Sequence, residues 1–349
     1  MASPIDTYFA RLETAFSRAA QRAGGPRTVG LALAGRTIRF VFAGAALPPV
    51  LLPALAHLPE AGGGAADLEI LCWDGQETGE PLPEPPWRWP EGAEPVRVAL
   101  PAGEERHQLL VTPGRDTLAL FAVETGRAVL WTAEARRLPT HWHGSPLVTL
   151  FHGWSRRHDL HLLHAGCVGT ERGGVLLAGR GGSGKSTTAL LGLTAGLRYV
   201  SDDYCLLAPG AEPRAHCLFS TGKLHRDHLP RFPTLAACAV DPQPDEFEKK
   251  VVFAARHFPD AVALDLPLRA VVLPRVAGRP ETAWARISPA EALRGLAPST
   301  LFQLPADDAR GLRAMAGLVR QLPCFRLDLG LRLEAIAPAV VALLAETGT

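Results

Sequence analysis

The chain has 349 residues, long enough for two domains, and with 47% hydrophobic and 20% charged residues it has the composition of an ordinary globular protein with a buried core. A formal net charge of +1 removes the electrostatic footprint of a nucleic-acid binder or of a protein held on an anionic membrane, so neither partner is expected. Six cysteines (Cys72, Cys167, Cys205, Cys217, Cys238, Cys324) occur without C-x-x-C pairs, and the opening MASPIDTYFARLETAF reads as a charged amphipathic segment rather than an export signal; a cytoplasmic setting is expected.

In chain order, residues 5–22 place Tyr8, Phe9, Leu12, Ala15, Phe16 and Ala19 on one side of a helix that ends near Gly24 and Gly25. Strands are predicted at Thr28–Leu33 and Thr37–Phe42 around a turn at Ala34, Gly35 and Arg36, followed by a short helix at Val50–Leu58 and a strand at Leu68–Trp73. The run PLPEPPWRWPEGAEP, inside Pro81–Pro101, excludes regular structure over most of its length. Its Trp87 and Trp89 either tuck onto their own domain or meet a ligand. Glu105–Thr112, Thr117–Val123 and Ala128–Thr132 read as a β meander. Residues 1–140 thus form a β-rich accessory domain ahead of a second domain, 141–349. Six histidines follow between His141 and His164, but their spacing lacks an H-x-x-x-H turn or a nearby cysteine pair, so packing and capping are expected of most of them and zinc of none.

The densest chemistry lies in VLLAGRGGSGKSTTALLGLTAGLRYVSDD, Val175–Asp203. Gly179, Gly184, Lys185 and Ser186 fill the pattern G-x-x-x-x-G-K-[ST] between an apolar strand and a helical run, the context that this phosphate-binding motif requires. Backbone N–H groups of Gly179, Arg180, Gly181, Gly182, Ser183, Gly184, Lys185, Ser186 and Thr187 can cradle phosphate oxygens at the positive end of a helix. Lys185 reaches the outer phosphates of ATP, and Ser186 offers an oxygen to Mg2+. A helix from Lys185 to about Ala195 carries the chain about 16 Å away, and a strand from Arg198 to Asp202 returns about as far. Asp202 and Asp203 therefore come back to the loop, either as metal ligand and base or as a solvated pair opening a turn. His161–Val168 reads as one strand and Thr170–Gly174 as a hairpin turn centred near Arg172, which sets His164 opposite position 180 at the edge of the loop. It is there either as a satisfied strand histidine or as a functional one.

His164 lies fifteen residues before Gly179, followed by the loop GRGGSGKS and then by the pair Asp202 and Asp203, the first of them seventeen residues after Lys185. This spaced set resembles the catalytic core of the HPr serine kinase/phosphorylase family and its shorter relatives in bacterial peptide-modification clusters, whose fold is similar to that of phosphoenolpyruvate carboxykinases. The resemblance covers about Gly153–Leu207 well. It implies a mixed α/β P-loop kinase core that uses ATP and Mg2+, with Asp202 as general base, His164 as its partner, and Ser186 with Asp203 around the metal. The family's E-[IV]-R-G-[LI]-G signature has no counterpart between Pro209 and Pro280, so the acceptor is open: serine on a peptide or small protein, or a small molecule such as a sugar or amino-acid derivative. On this reading the accessory domain either presents the acceptor or caps the core, and a small homo-oligomer is the weak expectation.

Beyond the pair, strands are expected at Tyr204–Leu207, His216–Phe219, Leu268–Pro274 and Leu322–Leu327, and helices at SPAEALRGL from Ser288, at Asp307–Gln321 and at Leu333–Ala345. Only four of the 36 basic residues are lysine: Lys185, Lys223, Lys249 and Lys250. Lys223, Lys249 and Lys250 are either solvated surface groups or cations for a transferring phosphoryl group.

Overall fold

The computed structural model describes residues 3–87, 96–97, 107–111, 116–242, 249–304 and 309–347; Trp89, the ends of the strand expected at Glu105–Thr112 and the turn at 113–115 lie outside them. The fold is mixed α/β, and the chain divides into two compact units. The first comprises Met1–Pro53, Leu58–Trp142 and Pro146–Trp154, the second Ala54–His57, His143–Ser145 and Ser155–Thr349.

In the first unit α1 (Pro4–Arg22) starts from a reciprocal cap: the Ser3 hydroxyl accepts from the Asp6 amide at 3.1 Å, and the Asp6 carboxylate accepts from the Ser3 amide at 3.0 Å. Its expected apolar stripe is buried, and Tyr8, Leu12 and Phe16 join Leu71, Trp73, Leu120 and Val129 in one core. The sheet beneath contains β1 (Pro26–Leu33), β2 (Arg36–Ala43), β3 (Leu68–Asp74), β4 (Val96–Arg97), β5 (His107–Val111), β6 (Thr117–Ala122) and β7 (Arg127–Thr132), in the order β1-β2-β3-β7-β6-β5-β4. β5, β6 and β7 are the expected antiparallel meander. The helix expected at Val50–Leu58 is instead α2 (Pro48–Leu51) followed by a separate 3-10 turn at Pro53–Leu55, because Pro53 has no N–H to continue the helical ladder. The short α3 (Gly75–Thr78) follows β3, and α4 (Thr140–Gly144) and α5 (Val148–Ser155) come after β7. Trp87 packs edge-on to Tyr8 at 4.9 Å between ring centroids, on its own unit.

The second unit runs β8 (His161–Leu163), β9 (Gly166–Thr170), β10 (Gly173–Leu177), α6 (Lys185–Thr194), β11 (Arg198–Ser201), β12 (Cys205–Ala208), β13 (Arg214–Cys217), β14 (Thr221–His225), α7 (Pro233–Ala236), β15 (Lys249–Phe253), α8 (Ala254–His257), β16 (Asp265–Val276), β17 (Ala283–Arg286), α9 (Pro289–Gln303), α10 (Ala309–Gln321), β18 (Cys324–Leu329) and α11 (Ile336–Glu346). The main sheet is ordered β11-β9-β10-β16-β13-β12-β8, with β18 pairing both β16 and β17, while β14 and β15 make a separate two-stranded ribbon. β10, β16 and β18 are mutually parallel, so their carboxyl ends open on one edge. Side chains alternate along β10: Val175 and Leu177 face the core shared with α6 and α11, whereas Leu176 and Ala178 face the core shared with α9 and α10. All six cysteines are free, and all but Cys238 are buried. Among the described residues no helix is long and apolar enough to cross a membrane.

Three expectations are corrected here. His161–Val168 is two strands, not one: β8 pairs with β12 and β9 with β10 and β11, and the chain changes partner at His164 and Ala165. The hairpin turn is shorter than expected, with Gly173 directly opposite Thr170, and His164, between the end of β8 and the start of β9, stands outside the ladder altogether. The helix that begins at Ser288 continues through Pro298 to Gln303.

Candidate active site

β10 ends at Leu177, and the chain turns through Gly179, Arg180, Gly181, Gly182 and Ser183 into α6. The loop geometry demands glycine at its last turn. Gly184 has φ +104°, and a Cβ there would run into Leu329 Cδ1 from the neighbouring parallel strand. The Lys185 ammonium donates to the carbonyls of Gly179 at 2.7 Å and Arg180 at 3.3 Å, tying the head of the helix to the start of the loop. Burial lowers the Lys185 pKa, although Asp203 and Asp202 oppose the shift. Ser186 and Thr187 occupy the first turn of α6, half-buried, and Thr188 Oγ1 donates to the Gly184 carbonyl at 2.9 Å.

Asp202 and Asp203 follow directly on β11, where the return of the chain was expected to set them, and they sit in different environments. Asp202 is 1% exposed; its Oδ2 accepts from the Lys223 backbone amide at 3.0 Å, while Oδ1 makes no hydrogen bond of good geometry. Burial, reinforced by the Asp203 charge, pushes its carboxyl up to about 6, with Lys223 and the Ser186 hydroxyl working the other way. Asp203 has both oxygens engaged: Oδ1 with His164 Nε2 at 2.8 Å and Oδ2 with Lys223 Nζ at 2.6 Å. Burial alone would raise Asp203, but Lys223 and His164 outweigh it and hold the carboxyl well below the usual range. One aspartate is thus poised to take a proton and the other is held as an anion.

His164 gets its place from the break between β8 and β9. Its backbone amide donates to Thr300 Oγ1 at 3.1 Å, its ring packs beside Tyr204 at 5.2 Å, and Nε2 reaches Asp203. The family resemblance implies His164 beside Asp202; the hydrogen bond goes to Asp203. The structure therefore brings together His164, the phosphate loop, Asp202 and Asp203, and adds two groups: Lys223, and Ser145, whose Oγ is 2.9 Å from Lys223 Nζ. The scarcity of lysine marked Lys223 as unusual; nothing in the sequence marks Ser145 or Thr300.

Three buried polar atoms here lack hydrogen-bond partners: Ser183 Oγ, His164 Nδ1 and Asp202 Oδ1. A cluster of that kind is what a polar ligand satisfies. For a magnesium ion, the Ser186 hydroxyl and the two carboxylates are all hard oxygen donors, so the residue set fits.

No protein-family model matches the chain, and no curated protein matches it. Among solved structures, an HPr(Ser) kinase/phosphatase from Coxiella burnetii is similar over 54% of this chain and 97% of that chain, at 13% identity and a TM-score of 0.28. A likeness at that TM-score adds nothing to what the strand order and the loop themselves show.

Proposed function

We propose that the protein is an ATP- and Mg2+-dependent phosphotransferase that moves the γ-phosphoryl group to a hydroxyl, with serine of a peptide or small protein as the acceptor. The observation that carries this reading is Asp202: a buried carboxylate with a raised pKa and one oxygen without a partner, beside a phosphate loop. Asp202 Oδ1 takes the proton of the acceptor hydroxyl as that oxygen bonds to the γ-phosphorus; the bond from phosphorus to the β–γ bridging oxygen breaks and ADP leaves. His164 and Lys223 keep Asp203 ionised. The loop amides and Lys185 hold the phosphates, and Ser186 with Asp203 would hold the magnesium ion, which supplies positive charge to the phosphate oxygens.

A second reading, with a small-molecule hydroxyl as acceptor, is favoured by the burial of Asp202, since a fully covered base suits an acceptor that can be enclosed. Both are tested by tracing γ-labelled ATP with Mg2+ in extract separated by size, with Asp202→Asn as control. Label in the protein or peptide fraction that is lost in the variant supports the first reading, and label among small metabolites supports the second. A protein that binds ATP yet labels nothing and releases no phosphate refutes both and leaves a nucleotide-binding regulator.

A further inference from the structure

The four lysines of a chain that otherwise carries arginine fall on only two parts of the fold. Lys185 is in the phosphate loop, and Lys223, Lys249 and Lys250 are on the β14–β15 ribbon. The two residue types do different work: guanidinium is a planar fork, whereas ammonium is a compact point charge that can move between oxygen partners. The ribbon register separates the three. His225 lies opposite Lys249 and Lys223 opposite Val251, so Lys223, His225 and Lys249 share one face, while Lys250, opposite Leu224, is on the other. Gly222 seats the ribbon on α6, since a Cβ there would run into Leu190 Cδ2. From that seat Lys223 binds Asp203 Oδ2, Ser145 Oγ and, through its backbone amide, Asp202 Oδ2; its ammonium also lies 5.8 Å from the Tyr204 ring centroid. Lys249, opposite His225 and exposed, is the next cation along the Lys223 face of the ribbon, and its charge opposes that of Lys185.

We propose that the β14–β15 ribbon is a cation arm of the phosphate site: Lys223 is an exchangeable partner of Asp203 that competes with a divalent cation for that carboxylate, and Lys249 adds charge that holds the outer phosphate of ATP. The proposal rests on the kinase reading for its ligand. When Asp203 turns to the metal, the freed Lys223 ammonium has the three oxygens of the transferring phosphoryl group as its next acceptors, with no proton gained or lost by the lysine.

The test uses binding, not turnover, on the full chain. Mn2+ affinity without nucleotide is read by electron paramagnetic resonance, and ATP and ADP affinities without metal by calorimetry, for the wild type and for Lys223→Met, Lys249→Met and Lys250→Met. Removing Lys223 is expected to tighten Mn2+ by about tenfold, since one competing charge is gone. Removing Lys249 is expected to weaken ATP by about fivefold and ADP by less, and Lys250→Met to match the wild type on both. Unchanged or weaker Mn2+ binding in Lys223→Met overturns the exchange, and a Lys249→Met variant that loses no more ATP affinity than Lys250→Met overturns the arm. Should Lys223→Met fail to fold, Lys223→Gln takes its place. A wild type that binds no nucleotide overturns this proposal and the kinase reading together. Labelled product without the lysine effects removes only the proposal, and the lysine effects without labelled product remove only phosphotransfer.

Discussion

Asp202→Asn is expected to make the protein more stable and inactive. An acid whose folded pKa is raised is easier to ionise in the unfolded chain, so its contribution to stability falls as pH rises from about 4 to about 6 and stays low above that. With the Asp202 carboxyl moved from 3.8 to about 6, its charge costs the folded state about 3 kcal/mol at neutral pH. Asparagine keeps the acceptor for the Lys223 amide but sets a buried N–H₂ where Oδ1 has no partner, a cost of about 1–2 kcal/mol. The variant should therefore gain about 1–2 kcal/mol at pH 8 and lose that advantage toward pH 5. Asp203, whose pKa is depressed, titrates below this window and leaves the comparison clean. Urea unfolding of both proteins at pH 5, 6, 7 and 8 measures the gap, and labelled-ATP transfer measures the cost in activity, a loss of about 10²–10⁴ for a missing general base. A variant less stable than the wild type at pH 8, or a gap that does not shrink toward pH 5, would refute the assignment of Asp202 as a strained buried carboxylate.

Transfer by the wild type should rise with pH through about 6, as Asp202 gives up its proton and becomes competent as a base, and a rate that falls through that range would exclude it from the role. Gly184→Ala should weaken ATP binding by about 1–3 kcal/mol, because φ +104° and the neighbouring Leu329 both oppose a side chain; calorimetric titration with ATP checks it, and Leu329→Ala in the same chain should restore binding only in part. Asp328, nearly buried on β18, accepts from Arg275 at 2.9 Å, Arg279 at 3.0 Å and Arg326 at 3.2 Å. Asp328→Ala leaves three guanidiniums crowded without their anion, but all three are partly exposed and screened by solvent, so it should lower stability by only about 1–2 kcal/mol in thermal melts, whereas an unchanged melting temperature would show that the cluster contributes nothing.

The parts of the site written in local chemistry were legible in the sequence. The loop glycines and Lys185 form a contiguous motif, and counting helix rise against strand rise was enough to bring Asp202 and Asp203 back to it. Also local was the apolar stripe from Tyr8 to Ala19. Less legible were features set by partner choice. Leu162–Leu163 and Ala165–Val168 are apolar and buried on both strands, so no polar alternation marked the point where the chain leaves β12 for β10. That change of partner is what frees His164 to meet Asp203. The β14–β15 ribbon joins Thr221–His225 to Lys249–Phe253 across twenty-odd intervening residues, a pairing that no short window contains. Lys223 stood out by composition alone, and its three contacts depend on Ser145, Asp203 and the Asp202 carboxylate meeting in space.

The buried thiols make the two compact units separately observable. Cys72 lies in the first, and Cys167, Cys205, Cys217, Cys238 and Cys324 in the second. Burial raises the four core thiols of the second unit, Cys205 to about 12, and also Cys72, so thiolate chemistry at these five positions waits for the surrounding structure to open. An alkylating reagent followed by peptide mass mapping thus acts as a pair of clocks, one mass increment timing the opening of the sheet around Cys72 and four more timing the second unit. If ATP slows the second clock and leaves the first untouched, the ligand will have been located without a substrate, a radioactive label or a crystal.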